Sequence, residues 1–420
     1  ASGYRSLYSN STGARNTANG YMSMNDNSTG TNNAAFGYTS LYKTTEGDSN
    51  TAAGSRALYS NTTGDGNTSM GSRALEDNTT GSYNSSFGYE ALSSNTDSEG
   101  NTAVGAFALK DLTSGDRQTA IGYRALRSAT NGFDNVAIGY NCLTSVEGGY
   151  DNVAIGSYAG ENSTGSLNTI IGHEAMMNAA GASWNVAVGG AAMKGVSTGY
   201  GNVAMGYIAA YDLTTGIMNT AIGYTAFENN TSGNYNTVMG AGALDGGNTT
   251  ESTALGYNSG YDGNYNTSVG SSSLRLTEGD DNVGVGYRTL YKNENGYSNV
   301  AIGAKAADIS DSYRQCVFVG KDADANSSSS SYINSMALGY NTKVTATNQV
   351  RVGNSSVSSI GGQVGWTTLS DGKFKTDVQQ DIVGTNFIMR LKPVSYLVDK
   401  QKVDAYLGID SIIPARNEAR

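Results

Sequence analysis

The phrase Asn-[Thr/Val]-Ala-x-Gly recurs along this chain at a nearly constant spacing. Its closing glycines run from Gly3 to Gly353, passing through Gly105, Gly122, Gly139, Gly156, Gly206 and Gly223. Of the 21 intervals between them, 15 are 17 residues long. A period this short and this regular predicts a solenoid in which each repeat is one coil, touching only its two neighbours. Length alone suggests two or three globular domains, and the repeat overrides that expectation.

Each column of the repeat carries its own instruction. Four residues before the closing, or anchor, glycine stands Asn in 16 of 21 repeats, including Asn135, Asn152, Asn185, Asn202 and Asn219. Stacked at the strand spacing of about 4.8 Å, these side chains are expected to form an amide ladder along the axis. One residue before the anchor is usually apolar (Ile121, Ile138, Ile155, Met205), and three after it is always small through Gly303 (Ala125, Cys142, Ala159). Period-two alternation predicts about two five-residue strands per coil, with both of these columns inside. Glycine falls where the backbone needs positive φ or a close approach. Both prolines, Pro393 and Pro414, lie beyond the last repeat, where no ladder bond is lost. The fold class predicted is therefore all-β, a parallel β-roll or β-solenoid of about 22 coils over residues 1–353. A connector follows at 354–369, and then a small α+β segment at 370–420.

Composition removes several functions. The formal charge of −10 argues against a nucleic-acid partner, which needs a basic face. The sequence contains no apolar run long enough to span a membrane as a helix, so no membrane insertion is expected. The chain opens in mid-repeat, which reads as a mature product or an excerpt. Cys142 and Cys316 fall eleven coils apart and are expected to be small core residues. No cofactor and no metal site is expected: His173 is the lone histidine, and the calcium-roll nonapeptide does not recur. Gly195–Gly199 matches G-x-S-x-G, but it sits in a repeat turn, so a chance match is expected.

"NVAIG" followed by a small residue, repeated along residues 1–353, resembles the head repeats of trimeric autotransporter adhesins. The resemblance implies a left-handed roll in which three chains lie side by side. The residues favour partners independently: a coil whose core is mostly Ala, Ser and Gly needs further burial. Tyrosine follows the anchor eleven times (Tyr123, Tyr140, Tyr207 and Tyr224 among them). That column is expected to pack in a subunit seam, or alternatively to form an aromatic ladder for glycans.

After residue 370 the text changes. Ser370, Asp371, Lys373, Phe374 and Lys375, with "LKPVSY" from Leu391 to Tyr396, resemble the start of the peptidase S74 family. These are intramolecular chaperones at the ends of phage tail fibres and related surface fibres. The resemblance implies trimerisation followed by self-cleavage between Ser370 and Asp371, with Ser370 as nucleophile and Lys375 as its basic partner. An uncut, foldon-like cap is the alternative. Together these readings predict an extracellular fibre of the tail-fibre or adhesin type, on a cell surface or a virion-like particle. It would be a homotrimer that binds a target cell-surface glycan or protein through many weak contacts. The rival readings are a glycan-degrading tailspike and a self-cleaving fibre.

Overall fold

The computed structural model of the protein describes residues 1–328 and 331–362. Among them the chain is a parallel β-solenoid of 17-residue coils with no helix. Each coil contributes one three-residue strand that ends immediately before its anchor glycine, from Thr17–Asn19 to Val350–Val352. Twenty-one such strands make a single sheet. Neighbouring coils pair in register: Ile121 stands opposite Ile138, and Ile138 opposite Ile155. The anchor glycines therefore form one column, as the spacing requires. The segment 370–420, with its expected α+β structure, lies outside the described residues.

The anchor column is sterically closed. At Gly122, φ is +135°, and a Cβ there would lie 2.3 Å from the carbonyl oxygen of Gly139. Gly139 is held the same way against Gly156, again at 2.3 Å. Backbone approach this close explains a glycine in every coil.

The expectation of two strands per coil is corrected. In most coils the second side is a run of turns in which the second and fourth residues after the anchor take left-handed φ, as Arg56 (59°) and Leu58 (53°) do. Its hydrogen bonds still reach both neighbours. The Arg56 amide donates to Tyr38 of the preceding coil (2.9 Å), and the Leu58 amide to Ala74 of the following one (3.0 Å). These bonds to both neighbours take the place of a second strand ladder, so the extended conformation is not required. Alternation also fails there because Ala57 and Leu58 are consecutive and both fully buried. The last coils gain a second paired strand, as at Asp324–Ala325 with Lys343–Val344, and mid-chain Phe133 makes an isolated bridge to Tyr150.

A second correction concerns which strand residues face inward. The middle residue of each three-residue strand but the last is buried (Ala120, Ala137, Ala154), while the residue before the anchor points out, Ile121 at 38 % exposure and Ile155 at 39 %. The interior is too narrow for both. It is filled instead by the leucine four after the anchor (Leu58, Leu75, Leu92, Leu109, Leu126, Leu143) packed on the small residue beside it. Ala125, Cys142 and Ala159 are buried as expected, and burial pushes the Cys142 thiol up to about 12. Cys142 and Cys316 are both free.

This core is continuous from Ala18 to Ala254 and resumes from Leu274 to Val344. Between the two blocks the interior is hydroxylic: Ser259 bonds Ser268, and Ser273 bonds Thr289, each at 2.6 Å.

Candidate interaction face

The inverted strands leave an outward face that repeats in every coil. Its two columns are the residues three and one before the anchor: Thr119 and Ile121, Val136 and Ile138, Val153 and Ile155. From Thr17 to Val352 neither column contains a charged residue. Single exposed apolar residues are ordinary, whereas a stripe running the length of a solenoid marks an interaction surface.

The tyrosine column borders this stripe. Tyr4, Tyr21 and Tyr38 stack with ring centroids 5.2 and 5.3 Å apart, nearly parallel. Tyr123 with Tyr140 and Tyr207 with Tyr224 repeat the arrangement at 5.4 and 5.8 Å. Rings so spaced cover one another's faces and present edges and hydroxyls outward. Within these stacks the column is suited to packing rather than to face-on stacking of sugars. His173, expected at the surface or seam, meets Tyr158 edge-on.

The amide ladder forms in the predicted column and is buried. Asn152 Nδ2 donates to Asn135 Oδ1 (2.9 Å), Asn202 to Asn185 (3.2 Å) and Asn219 to Asn202 (3.0 Å). Each also caps the second glycine turn, as Asn135 does through the Gly149 carbonyl (2.8 Å). A second ladder was not legible in advance. Asn27 donates to Asn10, Asn78 to Asn61, and Asn95 to Asn78. It is interrupted at Thr44 and gives way to Leu112, so Asn27 Oδ1 and Asn95 Oδ1 are left without partners.

Gln118 is the flaw in the first ladder. It is fully buried, its amide is one methylene too long, and both Nε2 and Oε1 lack partners. Asparagine there would reach Asn101 and the Gly132 carbonyl as its neighbours reach theirs. Gln118→Asn is expected to stabilise the chain by about 1–3 kcal/mol, since two buried polar atoms gain bonds. Equilibrium urea denaturation checks this, and a lower midpoint would contradict it.

One carboxyl is strongly perturbed. Burial raises Asp324 to about 6, despite bonds donated to it by the Tyr313 hydroxyl and by the amides of Ala325 (2.8 Å) and Asp308 (2.9 Å). Its folded value lies above its unfolded one of 3.8, so the folded state holds the proton more tightly. Stability of these coils is therefore expected to rise on acidification through pH 6 towards 4, by up to about 3 kcal/mol. Thermal melts from pH 4 to 8 measure it, and Asp324→Asn should flatten the profile.

Chemistry elsewhere is sparse. Ser197 of the G-x-S-x-G match donates to the Thr214 carbonyl at 3.1 Å, as a turn serine does. Among the described residues no group of three or more His, Cys, Asp or Glu is placed to hold a metal, and no helix is long and apolar enough to cross a membrane. Ser370, Asp371 and Lys375 lie outside the described residues. The solenoid is of a kind shared by fibre-like, adhesin-like and tailspike-like structural proteins. In comparisons with known proteins, no family model and no curated protein matches the chain.

Proposed function

We propose that the protein is an extracellular structural fibre of the tail-fibre or adhesin type, a homotrimer that presents a rigid repetitive surface to a cell-surface glycan or protein. The observation that supports this most is the uncharged stripe of Thr, Val, Ile and Met on the outward face of the sheet. The stripe repeats once per coil over 21 strands. Only a partner with the same rise can match it along its whole length, and a second copy of this chain has that rise. Three copies, as the adhesin-head resemblance implies, let every stripe face inward at once. The charged residues then line the outside, where repetition supplies avidity.

The test is mass in solution. Analytical ultracentrifugation should give a particle of about three chains of 43.5 kDa. A monomer at micromolar concentration contradicts the proposal. The S74-like segment predicts a further result: if Ser370 cuts the Ser370–Asp371 bond, with Lys375 as base, expressed protein runs short on a denaturing gel. Ser370→Ala then restores full length. Full length in both forms supports the uncut cap.

A further inference from the structure

Five residues before each anchor the backbone takes left-handed φ whatever the side chain. In four successive coils this column reads Gly66 (65°), Tyr83 (60°), Gly100 (68°) and Arg117 (56°). Large side chains here lean towards the preceding coil. A Cβ on Gly66 would lie 2.9 Å from Tyr83 Cδ1, so the ring lies across that glycine. With the ring drawn back and no side chain on Gly100, a notch of about 210 Å³ opens between Tyr83 and Arg117, with Glu99 and Asp116 on its walls. Asp116 and Arg117 also line a neighbouring cleft of about 380 Å³ that reaches Phe133.

Three features suit this corner to a ligand. Tyr83 is 70 % exposed and, unlike Tyr4, Tyr21 and Tyr38, stacks on no other ring among the described residues. Arg117 is fixed by two bonds to Asp134, Nε at 2.7 Å and Nη2 at 2.8 Å, which leave Nη1 for another acceptor. Asp116 Oδ1 accepts the Glu99 amide at 2.9 Å, leaving Oδ2 and the exposed Glu99 carboxylate as acceptors. An open aromatic face beside several polar groups is the chemistry of sugar recognition.

We propose that this notch binds a neutral pyranose, its apolar C–H face on Tyr83 and its hydroxyls shared among Glu99, Asp116 and Arg117. Three carboxylates against one guanidinium disfavour an acidic sugar. Tyr83 and Phe133 stand three coils apart, about 14 Å, so the notch and its neighbouring cleft together have length for a short oligosaccharide along the axis. The site lies within one chain. It deepens the fibre reading, on which it rests for its biological sense, by naming the class of glycan.

The test is saturation-transfer NMR on the full chain with methyl β-galactopyranoside, methyl β-glucopyranoside and sodium glucuronate. Transfer is expected to the ring C–H protons of a neutral glycoside, with little to glucuronate. Tyr83→Ala should weaken binding at least about tenfold. Gly100→Asn should do the same by filling the notch. It is expected to fold, because Tyr83 and Arg117 already carry side chains at that φ, and circular dichroism checks this. No transfer to either neutral sugar, equal transfer to glucuronate, or transfer unchanged in both folded variants would overturn the proposal. Sedimentation of the same samples separates the two readings. Trimers without Tyr83-dependent transfer defeat the notch alone, and monomers with it defeat the fibre alone.

Discussion

Gly122→Ala is expected to cost this protein about 4 kcal/mol or more, an exceptional loss for one added methyl group. The methyl would sit 2.3 Å from the Gly139 carbonyl oxygen, at a φ of +135° that alanine avoids. Relief by shifting Gly139 is blocked, because Gly139 is itself closed against Gly156. A solenoid couples each coil only to its neighbours, so the damage should be local, a break between Gly105 and Gly139 with intact coils on both sides. Limited proteolysis should cut there and leave two resistant fragments. Gly181→Ala is the control: φ is +109°, but nothing lies within 4 Å of its Cβ, so conformational strain acts alone. Equal losses in the two variants would show that φ rather than backbone approach makes the column glycine.

The same column explains what the sequence made legible. A repeat with nearly constant spacing fixes the coil, the parallel register and the Asn135–Asn152 ladder, because stacking places like residues on like. Facing direction is a weaker signal. Ile121 looks like a core residue by type, yet the interior admits only Ala120 on that strand, since Leu126 already fills the space. The competing clue was present in the text: a leucine or methionine recurs four after the anchor, directly beside the small residue. Two adjacent buried positions break the alternation of a strand with one solvent face, and Ala125 with Leu126 do so on the second side of the coil. The left-handed residues were hidden for a related reason. Leucine does not favour positive φ, and here the hydrogen bonds to both neighbouring coils override its preference. The notch at Gly100 was legible only as a glycine between Tyr83 and Arg117, a sequence of columns rather than of neighbours.

The outward position of Ile121 sets up the second large effect. Ile121→Lys, Ile138→Lys and Ile155→Lys, made together, should convert a trimer into folded monomers. In a single chain these side chains are partly exposed, so lysine there costs little. Across a three-chain seam the same substitutions bring nine ammonium groups together over two coil steps, about 10 Å along the axis. No acidic residue occupies either outward column to receive them. An unpaired buried charge costs several kcal/mol, and like charges add to the penalty. Sedimentation should therefore fall from three chains to one while the far-ultraviolet circular dichroism keeps its β signature. Thr96→Lys, Thr113→Lys and Thr130→Lys place as many charges on exposed turns and should leave the mass unchanged. A seam variant that stays trimeric would move the interface to another face, and the tyrosine edges beside the stripe would then be the first to test.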